Sequence, residues 1–437
     1  MKGDGSALVR VGLLGFGNVG RAFARLLVSR APELSSRRGV DLRLVAVGTR
    51  RGAQVRDAVL GDVRWTTDMA SVATAPDVDL VVELIGGLEP ANALIRAALA
   101  AGKIVVTANK LLLAKESAAL QALAREKKAG LGIEAAVAGG IPILRALRES
   151  FAGDRVVSVA GILNGTCNFI LTEMEKTGRP YADVLKDAQR LGYAEADPAS
   201  DVEGEDAAYK LALLARLAFG RDVQVPQIAR EGITRLLPCD FLYARRLGRT
   251  PRQLGVAREL ASGHLLLSVR THLVPSTSLL AKVTGPFNAI EVNAAAGGSF
   301  VFSGRGAGGD PTATAVLADV VELARSAGKG TEPRVPPLGF ADLLPCEAAS
   351  AGEFVSAYSL RFVVRDRPGI IADLARALAD HGANIDSVFQ EPWDDKGALP
   401  FVITLEPVAQ GALDAALARI GKLDFHVELP LALPLTD

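Results

Sequence analysis

The stretch "ALVRVGLLGFGNVGRAFARLL" (residues 7–27) decides the fold, because an apolar β-rich run, spaced glycines and helical periodicity follow each other directly. Gly15, Gly17 and Gly20 have the GxGxxG spacing of a strand–turn–helix dinucleotide-binding fingerprint. We expect Gly15 to allow the tight turn, Gly17 to admit a pyrophosphate, and Gly20 to let helix and strand pack closely. The predicted cofactor-binding loop is Gly15, Phe16, Gly17, Asn18, Val19 and Gly20. The alternative is a glycine turn with no ligand.

The segments after this stretch repeat the β/α pattern. Residues 41–48, 79–86 and 103–110 are strand-like, and 90–101 and 115–128 are helical. Residues 130–144 then give another strand and a glycine turn. Strands that alternate with helices predict an α/β fold with a doubly wound parallel sheet, here over residues 1–150.

Two basic features of this region bear on the cofactor. The second strand runs into Arg50 and Arg51 and not into the acidic residue that usually binds the NAD ribose. Guanidinium groups pair well with a 2′-phosphate, so we expect NADP, with NAD possible; the arginines could also simply be solvated. Lys110 closes the "TANK" strand at the ligand-binding edge of the sheet, or else is a surface lysine that begins the next helix.

Composition excludes several classes of protein. The 437 residues suggest two to three domains, and 49 basic residues balance 49 acidic ones. Zero net charge gives no reason to expect nucleic acid or an anionic membrane as a partner. Three distant cysteines without a CxxC motif favour a reducing cytosol over disulfides or zinc, and the N-terminus lacks a signal-peptide pattern. We expect a soluble cytoplasmic protein.

The segment "EADPASDVEGEDAAYK" (195–210) holds six acidic side chains and one lysine. Asp206 and Lys210 stand at i and i+4, on one face of a helix. A desolvated lysine steadied by carboxylates can exchange a proton with an alcohol during hydride transfer. The carboxylates of Glu195 and Asp201 suit a cationic group of a ligand. The alternative is a helix whose early acids only favour the helix dipole.

Residues 188–210 resemble the signature segment of homoserine dehydrogenases. The glycine fingerprint, "TANK", "EAAVAGGIPIL" (134–144) and "LNGTCNFI" (163–170) resemble that family too, in the same order. The resemblance implies interconversion of L-homoserine and L-aspartate 4-semialdehyde in threonine, methionine and isoleucine biosynthesis, by an enzyme without an aspartate kinase segment. It makes Lys210 the acid/base, with Asp206 beside it and Lys110 assisting. The implied substrate contacts are Glu195, Asp201, Tyr193, Gly165 and Thr166.

The same resemblance extends to other ligands and to assembly. It implies a sodium or other monovalent cation held mostly by backbone carbonyls at Glu134, Val137, Gly139 and Ile141, although a glycine bend before a proline is also a plain turn. Residues 151–304 would form an α+β substrate domain whose open sheet pairs with a second subunit, in a homodimer or homotetramer. Residues 305–335 would return to the nucleotide domain, with Gly306 near the cofactor.

The C-terminal part predicts a third domain. The proline-rich stretch 330–345 suggests a linker, assigned to residues 336–353, and 354–437 follow the β-α-β-β-α-β order of a ferredoxin-like fold. This part resembles an ACT domain, so an amino-acid effector, with threonine expected, would bind at Asp366, Gly369, Ile370, Asn384 and Ile385. Helix N-terminal amides there suit a carboxylate. The alternative is a packing domain without a ligand.

Other functions remain possible on the residues alone. One is a different amino-acid-linked dehydrogenase, and another is an amino-acid sensor that binds cofactor without chemistry. The Asp206 and Lys210 pair argues against the sensor. Cys167 lies near none of the four histidines in the sequence and is interpreted as a buried small side chain, not a nucleophile.

Overall fold

The computed structural model describes residues 8–51, 57–327 and 337–436. Its strands are β1 Leu8–Leu14, β2 Asp41–Gly48, β3 Arg64–Thr66, β4 Leu80–Glu83, β5 Ile104–Thr107, β6 Leu131–Gly132, β7 Val156–Ile162, β8 Arg221–Asp222, β9 Ala229–Arg230, β10 Arg249–Glu259, β11 Leu265–Pro275, β12 Phe287–Ala294, β13 Gly298–Arg305, β14 Leu344–Pro345, β15 Val355–Val364, β16 Ile385–Phe389, β17 Leu399–Ala409 and β18 His426–Leu435. Its α-helices are α1 Asn18–Arg38, α2 Met69–Ala73, α3 Ala91–Ala100, α4 Lys110–Glu126, α5 Ile143–Arg145, α6 Gly165–Thr177, α7 Tyr181–Arg190, α8 Ala199–Val202, α9 Glu205–Phe219, α10 Pro238–Arg246, α11 Gly309–Ala327, α12 Ile370–Ala379 and α13 Gln410–Ile420.

The chain divides into two compact units. The first unit comprises residues 1–159, 209–226 and 288–346, and the second comprises 160–208, 227–287 and 347–437. The chain therefore leaves the first unit and returns to it twice. The three-domain division expected from the sequence stays a prediction, and its parts at 1–7, 52–56, 328–336 and 437 lie outside the described residues.

The first unit contains the predicted doubly wound sheet. Its strand order is β3-β2-β1-β4-β5-β6, and every pairing is parallel. Helices α1 and α11 contribute side chains such as Phe23 and Val316 to the same core as Leu13 and Val82, all fully buried. The strand order reverses between β1 and β4, and ligands of such sheets bind at the carboxyl ends of the strands at this point.

The glycine turn between β1 and α1 has the geometry that its spacing predicts. Gly15 has a φ of +95°, and its N–H donates to the carbonyl of Gly48 at 2.9 Å. A Cβ on Gly20 would lie 2.2 Å from the Gly15 carbonyl oxygen, so helix and turn approach too closely for any side chain. A Cβ on Gly17 would have no heavy atom within 4 Å. The turn is packed tightly on one side and open on the other.

The second unit contains a mixed sheet in the order β10-β11-β18-β15-β17-β16, with β9 also paired to β11. Strands β15 to β18 and helices α12 and α13 follow the predicted β-α-β-β-α-β order of a ferredoxin-like fold. Phe362 and Phe401 stack at 5.3 Å between ring centroids, in a core that also contains Leu374 and Leu413. The predicted fold class is therefore confirmed.

The segment predicted to be a linker contains regular structure. Leu344–Pro345 pair with Arg221–Asp222 as strands β14 and β8. Gln121 donates to the Phe340 carbonyl at 2.8 Å and accepts from the Leu338 N–H at 2.9 Å. Within the predicted linker, residues 344–345 therefore form a short strand, which the sequence pattern did not indicate.

None of the helices in the described residues combines the length and the apolar character that a membrane crossing needs.

Candidate active site

A cleft of about 680 Å³, here called the glycine-loop cleft, lies beside the turn between β1 and α1. Arg21, which the sequence analysis did not single out, joins the predicted residues there, with its guanidinium carbon 5.5 Å from the centroid of the Phe16 ring. Phe16 in turn meets the edge of Trp65 at 4.9 Å. The cleft is lined by Gly15, Phe16, Gly17, Asn18, Arg21, Thr49, Arg50, Arg51, Met69, Leu84 and Ile85.

A second cleft of the first unit, about 250 Å³ in volume, contains both lysines that the sequence analysis selected; we call it the lysine cleft. It shares Leu84 and Ile85 with the glycine-loop cleft, so the two clefts are neighbours. Its lining comprises Val19, Glu83, Leu84, Ile85, Gly86, Ala108, Asn109, Lys110, Ala135, Ala136, Ala138, Gly139, Lys210, Gly306, Ala307 and Thr312. Parts of the chain that are distant in sequence therefore meet where the sheet pattern predicts a ligand.

Lys210 reaches this cleft from the second turn of α9. Its side chain is only 7% exposed, and Asp206, one helical turn earlier, is 3% exposed. A helix with idle acids in its first turn would leave them in water. The burial of Asp206 and Lys210 therefore favours a chemical role over an effect on the helix dipole.

Lys110 begins a helix and does not close a strand. Strand β5 ends at Thr107, and Lys110 is the first residue of α4. Asn109 accepts the N–H of Leu112 at 3.2 Å and caps the helix, so the strand prediction was wrong at this position. The alternative interpretation, a lysine at the start of a helix, is correct for the backbone, and the side chain still lines the lysine cleft.

Glu83, at the end of β4, is a site residue that the sequence analysis missed. Its fully buried carboxylate accepts the Thr107 hydroxyl at 2.6 Å and the N–H groups of Ile85 and Gly86 at 2.6 and 3.2 Å. Glu83 thus ties the end of β5 to the loop after β4, and both border the lysine cleft. The sequence contained a signal for this residue, because Glu83 is an acidic residue at the end of the apolar strand-like run "DLVVE".

Two glycines close one side of the lysine cleft. A Cβ on Gly306 would fall 2.1 Å from the side-chain Cγ of Asn288. Gly139 has a φ of +53°, and a Cβ there would lie 2.8 Å from the Gly306 carbonyl carbon. Neither position has room for a side chain, since Gly306 packs against the Asn288 side chain and Gly139 packs against the backbone of Gly306.

The predicted cation loop is almost completely buried. The backbone at Ala138 and Gly139 takes two successive left-handed conformations, with φ of 54° and 53°. The carboxylate of Glu134 accepts the N–H groups of Leu144 and Arg145 at 3.1 and 2.7 Å, so that side chain is already engaged. Burial, followed by the charge of a neighbouring aspartate, raises the pKa of Glu134 to about 7. Among the described residues, no three His, Cys, Asp or Glu side chains are arranged to hold a metal, so a cation here would depend on backbone oxygens.

The Asn164 side chain joins one predicted substrate residue, Asp201, to the predicted catalytic residue Asp206. The Asn164 amide donates to Asp201 at 2.7 Å and to Asp206 at 2.8 Å, while its oxygen accepts the Cys167 N–H and caps α6. Asn164 was not among the predicted site residues, although an asparagine that precedes a helix is a capping signal. Cys167 is buried in an apolar core, as expected.

The other predicted substrate residues differ in placement. Gly165 is the first residue of α6, and the Thr166 hydroxyl donates to the Tyr193 carbonyl at 2.7 Å. The Tyr193 ring is 42% exposed and lies 4.8 Å from Phe169. Glu195 is exposed, and its backbone carbonyl accepts from Gln189.

The predicted effector residues lie around the start of α12. Gly369 precedes this helix with a φ of +96°, and Asp366 is exposed, 3.8 Å from the Lys396 ammonium. Ile370 is buried in the core, so it can offer a ligand its N–H but not its side chain. Asn384 is exposed, directly before β16, which begins with Ile385.

The strand order, the glycine turn and a cleft with two lysines beside it define a nicotinamide-dependent dehydrogenase of the Rossmann type. Three family models match the chain: homoserine dehydrogenase, NAD binding domain (residues 15–134), homoserine dehydrogenase (142–321) and ACT domain (358–425). The chain belongs to the homoserine dehydrogenase family. It is therefore an oxidoreductase with a nicotinamide cofactor.

Similar proteins extend over nearly the whole chain. The homoserine dehydrogenase of Pseudomonas aeruginosa is 42% identical over 424 residues, which are 95% of this chain and 96% of that protein. The crystal structure of a homoserine dehydrogenase from Thiobacillus denitrificans is 40% identical, with a TM-score of 0.91 and 99% of each chain covered. A hyperthermophilic archaeal homoserine dehydrogenase mutant in complex with NADPH is 27% identical, with a TM-score of 0.63, and covers 73% of this chain and 98% of its own.

Proposed function

We propose that the chain interconverts L-homoserine and L-aspartate 4-semialdehyde at the lysine cleft, within threonine, methionine and isoleucine biosynthesis. In the oxidative direction, the hydroxyl oxygen of the alcohol loses its proton to a protein base. The carbon that bears this oxygen loses a hydride. The nicotinamide, when bound, accepts that hydride. The observation that carries the proposal is the pair Lys110 and Lys210, which line one cleft beside the glycine loop.

Lys210 is the acid/base in this proposal. Its side chain is 7% exposed and lines the cleft, where the ammonium can exchange a proton with the substrate hydroxyl. Asp206 lies four residues earlier, on the same face of the helix. Lys110, at the capped start of α4, would assist by polarising the substrate oxygen.

The substrate ammonium suits the acidic cluster of the second unit. Asn164 donates to the carboxylate of Asp201, and such a group binds an ammonium by charge-assisted hydrogen bonds. Gly165, Thr166, Tyr193 and Glu195 complete the proposed substrate contacts.

The Lys210→Met variant tests the chemistry, since it keeps the length of the side chain and removes the ammonium. We expect kcat for homoserine oxidation to fall by about 100-fold or more, the usual scale for an acid/base group. The affinity for the cofactor, measured by fluorescence titration, should stay within about 3-fold, a difference of under 1 kcal/mol. Lys186→Met, at an exposed position of α7, is the matched control and should retain parental kcat. Parental turnover in Lys210→Met would contradict the mechanism.

NADP is the proposed preferred cofactor. Arg50 and Arg51 line the glycine-loop cleft without a nearby acid in the strand-end sequence "GTRR". The archaeal relative of known structure was solved with NADPH, which supports the same choice. Replacing both arginines by alanine should raise KM for NADP and leave KM for NAD almost unchanged. An equal effect on both cofactors would mean that the arginines do not distinguish them.

A monovalent cation, with sodium expected, is proposed at the backbone of Glu134, Val137, Gly139 and Ile141. The two left-handed residues at the bend and the burial of its oxygens support a hard cation there. Sodium chloride should raise the thermal unfolding midpoint above that in choline chloride of equal ionic strength. Identical midpoints would contradict the proposal.

Feedback by threonine is proposed at the start of α12. Its N-terminal amides and the exposed Asp366 and Asn384 offer partners for the carboxylate and ammonium of an amino acid. L-Threonine should then lower the activity of the parent chain, and D-threonine should not. L-Threonine should leave the activity of the Gly369→Val variant unchanged.

The chain is further proposed to assemble as a homodimer or homotetramer, and light scattering would measure its mass in solution.

A further inference from the structure

A single buried guanidinium joins the two helices that carry the lysines. Arg216 lies on α9 and is 1% exposed. It donates from Nη1 to the Leu113 carbonyl at 3.0 Å and to the Ser117 hydroxyl at 2.7 Å, and from Nη2 to the Ala114 carbonyl at 2.9 Å. All three acceptors belong to α4. We call this set of bonds the Arg216 clamp.

Stability alone does not account for an arginine at this position. Its Nε lies 3.4 Å from a carboxylate oxygen of Asp222, without the alignment of a hydrogen bond. Burial lowers the pKa of Arg216, which reflects the cost of keeping the charge away from water. Well-packed apolar side chains often stabilise such a helix contact as well as a buried ion does. An apolar contact lacks direction, whereas three directed bonds to Leu113, Ala114 and Ser117, which span just over one turn of α4, fix both the rotation and the sliding of the helix.

The clamp is close to both lysines along the helices. Lys110 begins α4, one turn before Leu113, and Lys210 precedes Arg216 by six residues on α9. An α-helix rises about 1.5 Å per residue and transmits displacement as a nearly rigid body. A slip of one residue between α4 and α9 would therefore move one ammonium relative to the other by a distance that catalysis does not tolerate.

We propose that Arg216 is a positioning residue, which sets the register of α4 and α9 so that Lys110 and Lys210 enter the lysine cleft together. The inference rests on the proposed function of the two lysines. It adds a residue that contacts neither the substrate nor the cofactor.

The Arg216→Met variant tests the inference, because it removes the directed bonds and keeps an unbranched apolar side chain in place of the aliphatic part of the arginine. We expect kcat to fall by about 10- to 100-fold, the scale of an ångström-sized misplacement. KM for homoserine and the Kd of the cofactor should stay within about 3-fold, since no ligand contact is lost. The isotope effect on kcat with homoserine deuterated at its carbinol carbon should rise, because the chemical step becomes slower. Ser117→Ala removes one of the three bonds and should lower kcat by about 5-fold.

A readout without turnover is the reactivity of the lysines in the free protein. A small amine-reactive reagent, with peptides resolved by mass spectrometry, should label Lys210 and Lys110 in a changed ratio in Arg216→Met. The matched control is Arg252→Met in the second unit. Arg252 is also 1% exposed and donates to Glu175, Pro251 and Ala281 at 3.0, 2.9 and 2.7 Å. Its loss should lower thermal stability without changing the labelling ratio, the isotope effect or kcat per folded molecule.

The outcomes separate the alternatives. An Arg216→Met protein with the labelling ratio and isotope effect of Arg252→Met would overturn the inference, as would full kcat despite changed labelling. If the Arg216→Met variant does not fold, the Ser117→Ala variant tests the inference in its place. A Ser117→Ala protein with the parental labelling ratio and the parental kcat would overturn the inference. Activity retained in Lys210→Met would defeat the proposed function, whereas the labelling ratio would still report whether the clamp sets the register.

Discussion

The Gly20→Ala substitution should separate close packing from cofactor binding at the glycine turn. A Cβ at Gly20 would lie 2.2 Å from the Gly15 carbonyl oxygen, and real contacts of this kind do not fall below 3.0 Å, so α1 must move by at least about 0.8 Å. Phe23 and Ala24, on the next turn, are fully buried and oppose that movement. Overpacking of this kind costs about 1–3 kcal/mol, and we expect the upper half of that range because the obstructing atom is backbone.

The matched control is Gly17→Ala on the open side of the same turn. Its Cβ would have no neighbour within 4 Å, and its φ of −81° suits any residue. The change should cost at most about 1 kcal/mol, because alanine is a poorer N-cap than glycine. It should nevertheless raise the cofactor Kd by about 10-fold or more, since the methyl group occupies the space expected for the pyrophosphate.

Urea unfolding followed by circular dichroism gives the stability difference, and titration of nicotinamide fluorescence gives the Kd. A Gly20→Ala protein within about 0.5 kcal/mol of the parent, the range of an ordinary surface substitution, would refute the packing argument. Parental cofactor affinity in Gly17→Ala would refute the argument for close approach of the backbone.

Three further predictions follow from buried polar groups. Glu83→Ala should lower the free energy of unfolding in urea by at least about 2 kcal/mol, because the Thr107 hydroxyl and two loop amides lose their acceptor, whereas Glu83→Gln should retain most of the stability. Asn164→Ala should raise KM for homoserine more than it lowers kcat, because Asp201 and Asp206 lose their shared donor; an unchanged KM would contradict this role. Burial lowers the pKa of His272 to about 3, so protonation of the unfolded chain should destabilise the protein as pH falls below about 6.5. Between pH 7 and 5 the parent should lose about 2 kcal/mol more than His272→Phe, and parallel pH profiles would exclude the effect.

The first unit could be predicted well because its signals are local. Glycine spacing indicates a βα turn, and the alternation of strand-like and helical runs indicates a parallel sheet, from neighbouring residues alone. The Lys110 error has an equally local cause. In "TANK" the apolar run suggests that the strand continues, but Asn109 competes for the backbone and starts a helix.

The remaining site residues depend on tertiary contacts that no spacing reveals. Glu83 functions through Thr107, which belongs to the next strand, and Asn164 functions through carboxylates 37 and 42 positions later. Arg216 interrupts the apolar run "LALLARLAF", an anomaly visible in the sequence, but its acceptors lie about 100 residues earlier. A buried polar residue in an apolar helix was thus a usable signal for a contact and gave no indication of the partner.

The discontinuous path of the first unit has a consequence for biosynthesis on the ribosome. Helix α11 supplies Ala313, Val316 and Val320 to the core formed with the amino-terminal strands, and all three are fully buried. The amino-terminal β/α repeats therefore emerge with an apolar face that is covered only after some 300 residues have been translated. A nascent chain arrested near residue 150 should bind trigger-factor-type chaperones and be cleaved rapidly by protease, whereas one arrested beyond α11 should resist cleavage.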